Sequence, residues 1–477
     1  VTAWHRRRSA SSAKRRLLRR RPLPNKHEFR SQARHSPWPG WTLGIRQPPA
    51  FSEDPLAFLQ SCARAHGDVV RVAQRTYLLA APATIATVLG DDGTLYGKTD
   101  PDPGARRAAF PASVMNSAGV AWRHKRQALQ PAFRAALVRD SAVQASTATL
   151  ALLREQGECV AAQDMRMLMT GLCAQLGAGF LLGNPAHAPD LLRMLPMVDA
   201  ILQQTRRQSL VPMWWPSAHR QRMRRARDDL QLALDQILMR ARQQPPHATS
   251  VLSLLLADAA QDDGDWCRDE AAAILMSALE PMAAALTWTL LLLAQHPHVA
   301  QQVMQEADGL DDADAATGTG MLDRLPHARA CVKEAMRLYP PTWITARIAQ
   351  RDTTLDGFHV PSGTQLLISP WVVHRDERHF PHPEAFLPAR WLDDTATHSL
   401  TRYSYFPFGG GPRSCIGSML ALTQMTAVIA TVLHARSLHL AADACPIPFP
   451  ALVLRPLDVR ISLRPRHGIA SRLGTAA

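Results

Sequence analysis

The 477-residue sequence predicts a mainly α (α+β) fold, helix-rich with small peripheral β-sheets. Three observations lead there. From about Pro82 to Leu338, and again after Cys415, apolar residues recur mostly at helical spacing. Alternating, β-branched runs are short and confined to a few places. The breaks at 96–111, 183–190, 210–217, 243–250 and 308–320 are rich in the residues that end helices, Pro, Gly and Asp above all.

In chain order, residues 1–36 form a basic segment without a core-forming pattern, and residues 37–477 read as one domain. WPGWTLGIRQPPAF is an irregular, Pro/Gly-rich approach, and SEDPLAFLQSCARAH reads as a capped amphipathic helix. DVVRVAQRTYLLAAP suggests a short hairpin. After the long helical stretch, ITARIAQRDTTLDGFHVPSGTQLLISP supplies further strands, and the Pro-rich HFPHPEAFLPARWL is irregular. One more long helix follows FPFGGGPRSCIG, and RPLDVRISLRPR is strand-like.

The net charge of +14 is unevenly placed. Residues 1–35 hold 12 Lys and Arg against the single acid Glu28, which leaves a near-neutral +3 for the rest. A nucleic-acid-binding reading therefore fails for the folded domain. The basic segment fits a transit peptide, a tail touching nucleic acid or anionic lipid, or upstream sequence from a misplaced start, which Val1 in place of Met favours. Arginine outnumbers lysine 49 to 5, the bias of a GC-rich and so bacterial genome. Seven scattered cysteines without a CxxC pair form neither a disulfide framework nor a zinc site, and they suit a reducing cytoplasm. The apolar run 271–294 is long enough to span a bilayer. Glu280 and Pro281 at its middle argue instead for a buried helix of a large core.

The cysteine loop carries the chemistry. Gly409, Gly410 and Gly411 permit a tight turn and a close backbone approach. Cys415 then falls at the start of a helix near Ile416, where free N–H groups and the helix dipole favour a thiolate. A packed structural cysteine is the competing reading.

Phe408, Gly411, Arg413, Cys415 and Gly417 reproduce F-x-x-G-x-R-x-C-x-G, and the chain thereby resembles the cytochrome P450 family. KEAMRLYPP resembles its E-x-x-R motif through Glu334 and Arg337, and FLPARW its P-E-R-F element through Arg390, with Ala389 in place of the usual acid. Trp122 and Arg126 match W-x-x-x-R. The resemblance implies haem b with Cys415 as axial ligand to iron. It also implies a buried Glu334–Arg337–Arg390 triad bracing the loop, and haem propionates held by Trp122, Arg126, Arg413 and Arg347. Phe408 would screen the thiolate.

One departure stands out. Where the family's central helix reads A-G-x-E-T, this chain has Ser277, Ala278, Leu279, Glu280 and Pro281, so proline replaces the threonine that helps position water for proton delivery. Pro281 also frees the Ser277 carbonyl and predicts a kink. Three readings stay open: Ser277 or water substitutes, the substrate's own polar group completes the relay, or the chemistry needs no relay, as in peroxide use, coupling or rearrangement. A non-catalytic haem-binding or recruitment protein is the alternative from another class.

The resemblance implies an apolar substrate chamber lined by 96–115, 181–215, 272–282, 342–345 and 446–451, with Ala278, Leu279, Trp343 and Ile344 on its wall. Arg106 and Arg107 either meet a substrate carboxylate or are ordinary loop residues. The expected enzyme oxidises an apolar small molecule of secondary metabolism. It is expected to be a cytoplasmic monomer without a membrane span. The 62 residues after Cys415 hold no flavin or iron–sulfur module, so electrons are expected from a separate ferredoxin or flavodoxin with its reductase. Arg123, Lys125, Arg134 and Arg402 are the candidate docking cations.

Overall fold

A computed structural model of the chain describes residues 49–99, 110–157, 161–206, 218–243, 250–259, 265–310, 321–393 and 400–466. The basic segment 1–36, Cys159, Arg106, Arg107 and the 210–217 break lie outside these residues. Seven helices position the site: α1 Pro55–His66, α2 Gly119–Leu129, α3 Ala135–Glu155, α4 Met165–Leu182, α5 Asp265–Gln295, α6 Pro326–Leu338 and α7 Ser418–Ala435.

Helix α5 is the axis. It is apolar on every face and therefore sits inside the core rather than at its edge. Its residues Leu275, Leu279, Leu286, Trp288, Leu290 and Leu293 are all buried, and the helix packs with α4, α6 and α7. The membrane-length apolar stretch is thus consumed by protein contacts: 72% of an apolar 18-residue stretch within Trp266–Gln295 is buried. Trp288 stacks on Tyr339 with ring centroids 3.9 Å apart, and its Nε1 donates to the Leu454 carbonyl at 3.1 Å. Those contacts pin α5 to the β-rich side. The helix continues through Pro281.

The sheets are peripheral. A five-stranded sheet has the order β1-β2-β8-β5-β3, from Val69–Ala73, Thr76–Leu79, Gln365–Ile368, Thr345–Ala349 and Tyr96–Thr99. Only β2 and β8 pair in parallel. A three-stranded sheet joins β4 Gln163–Asp164, β12 Arg460–Pro465 and β9 Arg436–Leu440. Two hairpins complete the set: β6 Thr353–Leu355 with β7 Phe358–Val360, and β10 Ile447–Pro450 with β11 Leu454–Leu457.

The early hairpin, the strands after Tyr339 and the C-terminal strand stand where the residue pattern puts them. Asp54 caps α1 by accepting from the Leu56 and Ala57 N–H groups. Strands β3 and β9 do not follow from the pattern. Tyr-Gly-Lys-Thr is a weak strand former that becomes a strand by pairing with β5, Lys98 facing Arg347. Strand β9 starts directly at the end of α7, with no Pro or Gly to mark the boundary.

Candidate active site

The loop ahead of α7 is held from several sides. The Phe406 N–H donates to His374 Nε2 at 2.9 Å, Gly409 N–H to the Phe406 carbonyl at 2.9 Å, and Cys415 N–H to the Phe408 carbonyl at 2.9 Å. His374 is fully buried between Arg337 and Arg375, and burial together with those cations keeps its ring neutral. A neutral imidazole can accept the Phe406 proton; an imidazolium cannot. Nothing local in the sequence marks His374 for this task.

The glycines approach protein rather than ligand. Gly411 has φ +67°, and a Cβ there would lie 1.8 Å from the Leu89 carbonyl oxygen. Gly409 has φ +71° with open space around it. Gly411→Ala is therefore expected to cost about 3 kcal/mol or more, combining left-handed strain of roughly 1–2 kcal/mol with displacement of the Leu89 backbone. Gly409→Ala should cost only about 1–2 kcal/mol. Urea unfolding of both variants checks this, and equal midpoints would refute the role of the Leu89 contact.

Helix α7 begins at Ser418 with Gly417 as its N-cap, two residues beyond the position the sequence suggests. Cys415 precedes that cap and opens onto a large internal cavity. Burial raises its thiol above the ordinary value, opposed by the Gly417 N–H and by the Arg126 guanidinium. A cation bound at the sulfur would favour the thiolate instead.

Three guanidiniums converge beside it. Arg126, Arg347 and Arg413 all line the cavity, and among the described residues none forms an ion pair with a carboxylate. Arg413 stacks over the Trp122 ring at 4.4 Å and donates to the Ser117 carbonyl at 2.8 Å, while its Nη1 is buried without a partner. Its pKa falls to about 10 through burial and the repulsion of Arg347 and Arg126. Burial likewise lowers Arg126 and Arg347. Cations repelling one another around an orphaned donor call for an anionic group between them. The paired propionates of a haem have that chemistry, with Cys415 and Phe408 on the same cavity wall.

The expected triad is a four-membered knot. Arg337 donates to both Glu334 oxygens at 2.9 Å, and Arg390 Nε and the Leu387 N–H each reach Oε1 at 3.0 Å. Trp391 Nε1 reaches Oε2 at 2.8 Å. Glu334 and Arg337 are wholly buried. Arg337 also donates to the carbonyls of His374, Pro383 and Ala385, which links the knot to the histidine under the cysteine loop. Trp391 stands where the P-E-R-F element has phenylalanine, and its indole N–H adds a donor that a phenyl ring lacks.

The cavity has a volume of about 1210 Å³, above the ~300–1,000 Å³ of ordinary small-molecule sites. Its α5 wall is the stripe Glu270, Ala273, Ile274, Ser277, Ala278, Pro281, with Met276 and Met282 beside it. Trp343, Ile344 and Ile447–Ala451 line it as expected. Leu279 does not: it packs away from the cavity, against Gly177 of α4. Of the 181–215 region, no described residue lines the cavity.

The distal residues are brought together only in part. Ser277 and Pro281 face the cavity, and Ser277 Oγ donates to the Ala273 carbonyl at 2.6 Å. Glu280 points off the cavity wall and pairs with Arg455 of β11. Arg123, Arg134 and Arg402 are exposed. Lys125 is not a surface cation: its Nζ binds the Ala112 carbonyl and Ser117 Oγ.

A family model described as Cytochrome P450 matches residues 35–463. The chain belongs to the cytochrome P450 family. This P450 is accordingly a monooxygenase, and haem b is its family's cofactor. It is 30% identical over 397 residues to the cyclooctat-9-en-7-ol 5-monooxygenase of Streptomyces melanosporofaciens, covering 79% of this chain and 84% of that one. It is 27% identical over 436 residues to the pentalenene oxygenase of Streptomyces avermitilis, covering 86% and 93%. Among solved structures, a retinoic-acid-bound cyanobacterial CYP120A1 superposes with a TM-score of 0.77 at 21% identity, over 89% of this P450 and all of that chain. CYP175A1 from Thermus thermophilus gives 0.68 at 26% identity, over 87% and 96%.

Proposed function

We propose that this P450 hydroxylates or epoxidises an apolar, terpenoid-sized molecule in bacterial secondary metabolism, as a cytoplasmic enzyme supplied with electrons by a separate ferredoxin or flavodoxin. The observation that carries this is the cavity: a large, mainly apolar chamber with Cys415 and three guanidiniums at one end. The relatives named for cyclooctat-9-en-7-ol and pentalenene support a cyclic hydrocarbon skeleton. In this reading Cys415 ligates the haem iron, Arg126, Arg347, Arg413 and Trp122 hold the propionates, and Phe408 shields the sulfur. Bound there, haem supplies thiolate-assisted activation of dioxygen.

The chain's own part is to exclude water and deliver protons. Glu280 is occupied by Arg455, and the Ser277 hydroxyl proton goes to Ala273. Pro281 brings no proton donor. That arrangement favours delivery assisted by the substrate or by water at the Ser277 carbonyl. Pro281 also favours a second reading, peroxide-driven or coupling chemistry.

Product formed per NAD(P)H consumed distinguishes them. The wild type should couple tightly only with its own substrate, and Pro281→Thr should raise coupling several-fold with poor substrates. Turnover with hydrogen peroxide equal to that with a reductase would favour the second reading. Salt should slow electron transfer if Arg123, Arg134 and Arg402 meet an acidic partner.

A further inference from the structure

The apolar chamber has a polar end that neither haem binding nor proton delivery uses. Glu270 stands at the first position of the α5 stripe, eight residues before Ala278 and so roughly 12 Å along the helix axis from it. Glu270 is 1% exposed, yet it lines the chamber. Its Oε2 accepts from the Val114 N–H at 2.5 Å, and it makes no other hydrogen bond among the described residues. Lys98, on the same wall, donates to the Met115 carbonyl at 2.7 Å. Lys125 is spent on Ala112 and Ser117, and the neighbouring Asp269 accepts from the Ala112 N–H at 2.7 Å. The second Glu270 oxygen is thus an acceptor on the chamber wall, about 12 Å along α5 from Ala278.

We propose that Glu270 is a specificity-determining anchor that receives, by hydrogen bond, a hydroxyl carried by the substrate about 12 Å along the helix from the Ala278 position. A carboxyl on an apolar wall is costly unless something binds it, and the ligand is what this wall leaves open. The two nearby ammonium groups, Lys98 and Lys125, disfavour a cationic ligand and select a neutral alcohol. Burial pushes the Glu270 carboxyl up to about 7, so near neutrality it serves an alcohol as either acceptor or donor. The substrate is then an already oxygenated hydrocarbon, so the reaction supplying it must itself install a hydroxyl, by an earlier oxygenation or by water capture of a carbocation.

This rests on the reading of the cavity as substrate chamber. The test is spin-state titration of the haem-loaded enzyme with two matched pairs, 1-dodecanol against dodecane and cedrol against cedrane. Each alcohol should bind about tenfold tighter than its hydrocarbon, equivalent to about 1.4 kcal/mol. Glu270→Leu should abolish that preference and Glu270→Gln retain part of it, with hydrocarbon affinity unchanged in both. Equal binding of alcohol and hydrocarbon by the wild type, or a preference that survives Glu270→Leu, overturns the proposal while leaving the apolar chamber intact. A parallel loss of alcohol and hydrocarbon affinity in the variants would make Glu270 a mere tether of the Val114 loop, which also overturns it. If neither alcohol nor hydrocarbon shifts the spin state, both this proposal and the chamber reading fall.

Discussion

Cys415→Ser is expected to lose the reduced, CO-bound Soret band of a thiolate-ligated haem and all measurable monooxygenase turnover, while the fold survives. The physical case is one of placement. Cys415 opens on the cavity at the end where Arg126, Arg347 and Arg413 gather, and its N–H is already spent on the Phe408 carbonyl. Serine keeps that backbone bond and nearly the same volume, so apoprotein stability should change by less than about 1 kcal/mol. A hydroxyl is a poorer soft ligand than a thiolate, so the deficit appears at the metal. Far-UV circular dichroism and urea midpoints of the apoprotein separate the two effects. A variant that keeps the thiolate-type spectrum would remove Cys415 from its assigned place, whereas a large apoprotein destabilisation would make its role structural.

Glu334→Ala should be the most damaging change away from the cavity. Five donors converge on that carboxylate, from Arg337 twice, Arg390, Leu387 and Trp391. Removing it strands the wholly buried Arg337 charge, a loss of about 3–5 kcal/mol. Against a total stability of about 5–15 kcal/mol that is severe. The damage should also reach the site, because Arg337 holds the His374 carbonyl and His374 accepts the Phe406 N–H of the cysteine loop. Haem content after purification should fall with the urea midpoint. Glu334→Gln, which keeps an acceptor for Leu387 but loses the charge, should fall between. An alanine variant within about 1 kcal/mol of wild type, with full haem content, would contradict this account.

The parts of the site that could be read in advance are those where one residue type is needed at a fixed local spacing. Cys415 and its loop, Glu334 with Arg337 one turn on, and Trp122 with Arg126 are such cases. The partners of His374, Trp391, Lys98 and Arg455 could not be read that way. Each acts on a residue far away in the chain: Arg455 on Glu280, His374 on Phe406, Trp391 on Glu334. The same distinction explains Glu280. A motif places an acid beside the family's threonine position, but whether its carboxylate faces the cavity depends on a strand arriving from 175 residues later.

From sequence alone came the helix-rich class, the cysteine loop that resembles the family's signature, the buried identity of the 271–294 helix and the proline where the family has threonine. Those are encoded in short-range pattern, because helical periodicity, turn glycines and i, i+3 pairs are local. Tertiary structure decided what the loop glycines approach, which acid faces the cavity and where the cavity wall is polar. Gly411 exists for Leu89, Glu280 turns to Arg455, and Glu270, carrying no motif, is the acid left on the chamber wall. The reason is that a side chain's partner and its exposure to a cavity are set by segments remote in sequence, which no local pattern records.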